Sequence, residues 1–171
     1  VPFLHQDPDS DEILGQCEES GRDQGHATLC VSLMGAFCQM AYSIGEDLFA
    51  FDNYRAVAMA EYVGKYNLIK DEAFNKGTLV GDDFVYDSNS FPYTSYSNPS
   101  YTNATISTDQ RGTKRPAWEL FYGYCKAKGI SSIYSGKWAE QMRPDGGGGN
   151  YGPNSGGFDQ LGFGTLMYYR E

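Results

Sequence analysis

One segment, residues 23–44, limits what this chain can fold into more than any other. A surface helix usually carries its apolar side chains along one stripe, whereas a helix that is apolar all round is buried. The apolar residues here are Leu29, Cys30, Val31, Leu33, Met34, Ala36, Phe37, Cys38, Met40, Ala41 and Ile44. They predict a helix that is buried on most sides, and Gly45 is suited to end it.

Three more segments have helical patterns, and a long irregular arm separates them into two groups. The second helix is predicted over about 53–66, the third from near Pro116 to about Lys128, and the fourth over about 133–142. The arm, roughly 68–114, is rich in Tyr, Ser, Asn, Thr and Asp, with a possible short strand at 79–86. A tail strand is predicted at 163–169. The fold class is therefore mainly α with few short strands.

Four such helices do not enclose the first one. Because residues 23–44 need neighbours on most sides and the chain supplies few, we expect these residues to belong to a larger helical array. Residues 1–171 are then either a single domain or the C-terminal part of a larger one. Another segment or a second chain would complete it.

The overall charge excludes some partners. The chain has 171 residues, a net charge of −9 and a pI near 4.6. This acidity argues against general binding of nucleic acids or anionic membranes. No apolar run is long enough to predict a membrane span.

Several features together favour an extracellular protein. Asn103 begins a glycosylation sequon, tyrosine is abundant, and the number of cysteines is even. The four cysteines contain no CxxC pair, so a zinc site or a thioredoxin-like site is not predicted. Asp7, Asp9, Asp11 and Glu18 match four positions of a calcium loop, but Glu12 stands where that loop requires glycine. No metal and no cofactor are therefore expected.

The block from Glu19 to His26 is the main candidate for chemistry. Ser20, followed three residues later by Asp23, reads as a capping box that begins the first helix. Arg22 and His26 then lie near one face of its first turn. A fixed cation beside a titratable imidazole suits a site that binds an anion and moves a proton.

Five blocks of the sequence carry a resemblance to a known family. They are 19–26, 60–67, 115–120, 143–152 and 156–166, and they occur in the family's order. The chain resembles the C-terminal part of secreted bacterial and fungal proteins of the alginate-lyase-domain superfamily. The resemblance implies an (α/α) toroid and polysaccharide lyase chemistry on uronate-containing glycans. It also implies an N-terminal half that supplies further helices and, commonly, an Asn-His pair in the cleft.

The resemblance also implies roles for particular residues. A lyase neutralises the uronate carboxylate, removes the proton at C5 and expels the 4-linked oxygen. Arg22 fits the neutralising group and His26 the base or an orienting group. Tyr122 and Tyr124 are candidate acids, although the family frequently has Tyr-Asn-His-Tyr where this chain has Tyr-Gly-Tyr-Cys. The remaining substrate-binding candidates are Glu19, Gln24, Arg55 and Arg115.

Structural explanations compete with these roles. Arg22 can pair with the acidic residues around it, and His26 can be a satisfied buried histidine. The two tyrosines can be packing residues, and Arg55 and Lys65 are most simply solvated charges on the second helix. Two functions remain: a lyase that cleaves alginate- or glucuronan-type glycans by β-elimination, and a non-catalytic carbohydrate-binding or defence protein that retains the fold. The net charge of −9 favours the second, because it repels a polyanion.

Overall fold

The fold is mainly helical. A computed structural model of the chain describes residues 3–98 and 104–142. In chain order its elements are β1 (Phe3–Gln6), β2 (Ile13–Gln16), α1 (Gln24–Ser43), α2 (Phe51–Asn67), α3 (Trp118–Lys128) and α4 (Ile133–Met142). Short 3-10 helices lie at Glu18–Gly21, Asp71–Ala73 and Gly81–Asp83. The mainly α prediction is confirmed, and the four predicted helices lie where the sequence places them, within about two residues at most boundaries.

Helix α1 begins one turn later than the Ser20 capping box predicts. Ser20 lies inside the 3-10 helix Glu18–Gly21, and Asp23 is the N-cap of α1. Asp23 has an extended backbone, and its carboxylate accepts the backbone N–H of His26. The capping box predicts Ser20 as the cap and Asp23 as the third helical residue, whereas in the structure Asp23 itself is the cap.

Only the first half of α1 is surrounded by protein. Gln24, Ala27, Thr28 and Val31 are buried, whereas the second half presents apolar side chains to solvent. These are Leu33, Met34, Phe37, Met40 and Ile44, whose exposed fractions run from 37% to 81%. The prediction of a helix buried on most sides is therefore wrong for the second half. Phe51, which is 70% exposed, adds to what we call the apolar face.

Helix α2 is the centre of the fold. From Val57 to Asn67 every residue is buried, and the helix packs against α1, α4 and β2. The aromatic rings of Trp118 and Trp138, from α3 and α4, stack at 5.2 Å between centroids. Gly64 of α2 lies against Trp118 and Tyr134, where a Cβ would come within 3.3 Å of both side chains. A small residue here lets α2 approach the other two helices closely.

An antiparallel hairpin precedes α1 and was not predicted. Phe3 lies opposite Gln16 and Gln6 opposite Ile13. The amide of Gln16 donates to the carbonyl of Thr94 and accepts from the Thr94 backbone N–H, both at 2.8 Å. These bonds hold part of the arm against β2.

The arm is ordered by side chains rather than by a sheet. Arg111 donates to the carbonyls of Tyr66 and Tyr86, at 2.8 and 2.6 Å, and its guanidinium lies over the rings of Tyr66 and Phe84. The predicted strand at 79–86 is wrong, because a 3-10 helix occupies its middle and only Phe84 forms a bridge, with Ile69. Asp82 and Asp83 favour such a turn over a strand.

Some sequence predictions fall outside the described residues. These are the sequon residue Asn103, two of the resemblance blocks (143–152 and 156–166), and the strand predicted at 163–169. Among the helices within the described ranges, none has the length and apolar character needed to cross a bilayer.

Candidate functional site

Four ionisable residues meet at the start of α1. Glu19, Arg22 and His26 were predicted as site residues, and Asp23 is next to Arg22 in the sequence. Arg22 Nη1 lies 3.4 Å from Glu19 Oε2, and Arg22 Nε lies 3.6 Å from Asp23 Oδ2. His26 Nδ1 lies 2.6 Å from the same Asp23 oxygen. The side chains of Arg22 and His26 are 43% and 40% exposed, whereas that of Asp23 is 8% exposed. The guanidinium and the imidazole therefore reach solvent on either side of one buried carboxylate.

Asp23 both caps the helix and orients the imidazole. One carboxylate oxygen accepts the backbone N–H of His26 at 2.7 Å, and the other contacts Nδ1 of the same residue. Because an ionised carboxylate only accepts hydrogen bonds, this contact assigns the ring proton to Nδ1. Nε2 is then the nitrogen able to take a proton. Asp23 was predicted from the sequence as part of the cap but not as a member of the site.

Gln24 lies directly behind this cluster and has a structural role. Its amide donates to the carbonyls of Ser20 and Ser107, and its oxygen accepts from Asn67 at 2.9 Å. Asn67 in turn accepts the backbone N–H of Gly112. The start of α1, the end of α2 and the last part of the arm are thus connected through buried amides. This network fixes the backbone that carries Arg22 and His26.

A groove runs along the arm next to the start of α1. Its lining includes Thr78, Thr108, Gln110, Arg111 and Thr113, and its volume is about 720 Å³. The side chain of Gln110 packs so closely on Gly25 that a Cβ there would clash with it. One residue of the groove lining, Gln110, therefore contacts the residue immediately before His26.

A second groove continues the first. It shares Ser88 and Thr108 with it, has a volume of about 490 Å³ and includes the aromatic rings of Phe91 and Tyr93. Hydroxyl, amide and aromatic side chains are a combination suited to a sugar chain, since they offer both hydrogen bonds and apolar ring faces.

The two candidate tyrosines lie away from Arg22 and His26. Tyr124 is buried, stacks on Phe49 at 4.4 Å and donates to Asp47 Oδ2 at 3.0 Å. Burial and this hydrogen bond raise the pKa of Tyr124. Its ring also meets Tyr42 near the far end of α1, about 24 Å along the helix axis from His26. Tyr122 is partly buried and packs on Gly136 of α4.

Of the two remaining arginine candidates, Arg55 has surroundings separate from the cluster, and Arg115 is buried. Arg55 pairs with Asp52 at 2.5 Å and lines a small apolar pocket with Met34 and Phe37 at the second half of α1. Arg115 is 7% exposed and precedes α3. Of the eight predicted catalytic and binding residues, the structure brings together Glu19, Arg22 and His26, with Gln24 behind them.

A buried ionic cluster was missed by the sequence analysis. Lys65 is 1% exposed rather than solvated; it donates to Asp7 and to Asp9 Oδ2, the latter at 2.6 Å. Tyr134 donates to the second oxygen of Asp7 at 2.5 Å. Burial alone would raise the pKa of Asp7, but hydrogen bonds from Lys65, Tyr134, the backbone of Asp9 and Ser10 together outweigh it and lower the pKa. Asp7 and Asp9 therefore bind an ammonium group here.

A second buried carboxylate connects α2 to α4. Glu61, 1% exposed, accepts the backbone N–H groups of Tyr134 and Ser135 at 2.8 and 2.9 Å. These are the second and third N–H groups of α4, which have no acceptor within the helix, so a residue of another helix caps it. Burial raises the pKa of Glu61 to about 7, against the lowering effect of those two N–H groups.

Metal-ligand geometry is not found in the part of the chain that the structure describes. No group of three or more His, Cys, Asp and Glu side chains there is placed to share an ion.

Comparisons with protein-family models, with curated proteins and with solved structures found no match for this chain.

Proposed function

We propose that this chain carries the base and the carboxylate-binding group of a polysaccharide lyase acting on uronate-containing glycans. The observation that carries the proposal is the exposed imidazole of His26, held by the buried Asp23 carboxylate beside the exposed guanidinium of Arg22. An imidazole with a fixed tautomer is suited to proton abstraction, and a guanidinium is suited to a planar carboxylate. The sequence resemblance supports the same chemistry.

In the proposed reaction, Arg22 binds the uronate carboxylate and so stabilises the charge that develops when the C5 proton leaves. His26 Nε2 takes this proton, and Asp23 stabilises the imidazolium that forms. The electron pair from the C–H bond forms the C4–C5 double bond, and the bond from C4 to the linking oxygen breaks. The imidazolium can return its proton to that oxygen. A single group then serves as base and acid, without either tyrosine of α3.

The grooves along the arm suit the substrate of this reaction. Gln110 of the first groove contacts Gly25, the residue before His26, and the second groove extends from Thr108 to Phe91 and Tyr93. Arg111 lines the first groove and donates to two carbonyls, but Arg22 is the more exposed of the two arginines and lies beside His26, so we propose Arg22 as the ligand for a uronate carboxylate. We propose that neighbouring sugars of an alginate- or glucuronan-type chain bind here.

We further propose that the chain is part of a larger (α/α) toroid. The apolar face of α1 supports this, because large exposed apolar patches in water are usually covered by another surface. The proposed partner is an N-terminal helical segment, or a second chain, of the same precursor. Together with the even number of cysteines and the sequon at Asn103, the resemblance supports an extracellular location.

The first test is an ultraviolet assay with alginate and glucuronan as substrates. β-Elimination creates a conjugated unsaturated uronate, so absorbance should rise with time. Arg22→Ala and His26→Ala should each lower the rate by about 100-fold or more, the usual scale for such groups. Arg55→Ala is the matched control, because Arg55 pairs with Asp52 elsewhere on the molecule. Full activity in both site variants would remove them from the mechanism.

The alternative function is binding without cleavage. The net charge of −9 favours it, since a polyanion approaches an acidic protein only where the surface is locally basic. Calorimetric binding of uronate oligosaccharides that the protein leaves intact, lost in Arg22→Ala, would establish this function. Binding together with cleavage would exclude it.

A further inference from the structure

An exposed amide of the arm lies directly against the first turn of α1. The side chain of Gln110 lines the first groove and packs on Gly25. Its Cδ atom lies 3.0 Å, and Asp23 Oδ1 lies 3.2 Å, from the position that a Cβ on Gly25 would take. The amide of Gln110 and the carboxylate that caps α1 are therefore on the same side of this turn.

The backbone on both sides of Gln110 is fixed to the rest of the molecule. The N–H of Ser107 donates to the carbonyl of Ser20, and the N–H of Gly112 donates to Asn67 Oδ1, both at 2.9 Å. The side-chain amide of Gln110, by contrast, makes no hydrogen bond within the described part of the chain. A free amide on a fixed backbone is suited to hold a ligand, because little ordering is left to occur on binding.

We propose that Gln110 forms a second sugar subsite beside the Arg22–Asp23–His26 cluster, an inference that rests on the proposed lyase function. Its amino group donates to a hydroxyl oxygen of the sugar that occupies the first groove, next to the uronate bound by Arg22. This hydrogen bond contributes affinity, whereas proton transfer is left to His26. The substrate class is a glycan in which the sugar next to the reacting uronate presents a free hydroxyl to the groove.

The orientation of the Gln110 amide supports donation to the ligand. Its oxygen Oε1 is the atom that comes closest to Gly25, so the oxygen faces the helix and the amino group, with two N–H donors, is left for the groove. Gly25 is required for this placement, because a Cβ there would meet the amide. The small residue before His26 thus allows the arm to bring a hydrogen-bond donor next to the cluster.

The test measures KM and kcat of each variant on defined uronate oligosaccharides in the ultraviolet assay. Gln110→Ala should raise KM by about 5- to 10-fold, the loss expected for one neutral hydrogen bond, and leave kcat within about 2-fold. Gln110→Glu keeps the shape but loses the donor, so KM should rise at least as much. Asn75→Ala, at an exposed position of the arm that lines neither groove, is the control and should keep the wild-type KM. If the protein binds these oligosaccharides without cleaving them, the same ratios apply to the calorimetric Kd.

A second variant reaches the same subsite from the helix. Gly25→Ala displaces the Gln110 amide, so KM should rise as in Gln110→Ala, and the double variant should be no worse than either single variant. The backbone of Gln110 has a φ of 54°, and alanine also has a Cβ, so Gln110→Ala should not change stability through the backbone. A wild-type KM in Gln110→Ala, or additive losses in the double variant, would overturn the subsite and leave the lyase proposal standing. A wild-type protein that neither cleaves nor binds uronate oligosaccharides would overturn both.

Discussion

At the scale of single residues, Asp23 joins local folding to the proposed chemistry. Its carboxylate caps α1 through the backbone N–H of His26 and fixes the imidazole of the same residue. Aspartate is a preferred N-cap residue in helices generally, so capping alone is enough to explain why Asp23 is at this position. The contact to Nδ1 goes beyond capping, because it selects a tautomer.

Substitutions of Asp23 should separate these two roles. Asp23→Ala should lower the free energy of unfolding by about 1–2 kcal/mol, since the cap is lost. Asp23→Asn should keep most of that stability, because asparagine is also a good cap. It should lower the turnover of the proposed reaction, because the neutral amide stabilises the imidazolium form of His26 less than the carboxylate does. Urea denaturation and the ultraviolet assay measure the two effects. Equal losses of stability in both variants would show that the carboxylate charge, rather than the cap, matters.

Lys65 should be critical for stability, although its position in the sequence predicts a solvated charge on the surface of the second helix. Lys65→Met leaves the buried Asp7 carboxylate without its cation and should cost about 3–5 kcal/mol near neutral pH. Lys76→Met, which breaks the exposed pair with Asp83, is the control and should have little effect.

The pH dependence of the Lys65 effect has a definite sign. The folded-state pKa of Asp7 is lowered from 3.8, so its contribution to stability is present above about 3.8 and is lost as pH falls through the folded value. The cost of Lys65→Met should therefore shrink in acid, as measured by urea denaturation at several pH values. A cost that does not change down to strongly acidic pH would contradict the ionic assignment.

At the scale of elements, α4 is capped by a residue of α2. Glu61 accepts the second and third N–H groups of α4, so the two helices share one buried carboxylate. Its pKa is raised from 4.5 to about 7, so the folded state holds this proton more tightly than the unfolded state. The contribution of Glu61 to the free energy of unfolding is fully present below about pH 4.5 and is lost as the pH rises to about 7.

Glu61→Gln should remove that pH dependence. The wild type should lose roughly 3 kcal/mol between these pH values, whereas the variant should be nearly flat. Glu140→Gln, at an exposed position on α4, should keep the wild-type profile. Thermal or urea unfolding across this range is the measurement, and identical profiles for wild type and Glu61→Gln would contradict the assignment.

The elements were largely predictable from the sequence, but their surroundings were not. Apolar spacing located all four helices, because it depends on residues a few positions apart. The burial of Lys65 depends on Asp7, 58 positions away in a hairpin that the sequence analysis did not identify. The cluster of Glu19, Arg22 and His26 was predictable because these residues are close in sequence. The predicted cap was wrong, since Asp23 rather than Ser20 caps α1 and Arg22 lies before the helix rather than in its first turn. The placement of Tyr122 and Tyr124 depends on how α3 packs, which spacing does not specify.

At the scale of the whole molecule, the apolar face of α1 is the main unexplained surface among the described residues. Phe37 and Met40 are 54% and 64% exposed at its centre. Replacing both by serine should lower binding of an apolar fluorescent dye and self-association in sedimentation, with a change in stability of about 0.5 kcal/mol or less per site. Val85→Ser is the control at an exposed apolar site in the arm. Unchanged dye binding in the double variant would show that this face is not the accessible surface.

The lyase proposal requires the Arg22–Asp23–His26 cluster to perform β-elimination on a uronate glycan. The most direct test is mass spectrometry of a defined uronate oligosaccharide after incubation in water labelled with heavy oxygen. β-Elimination predicts two fragments whose masses add up to that of the substrate, one with an unsaturated end and neither with the label. Intact oligosaccharide, or fragments that carry heavy oxygen from hydrolysis, would contradict it.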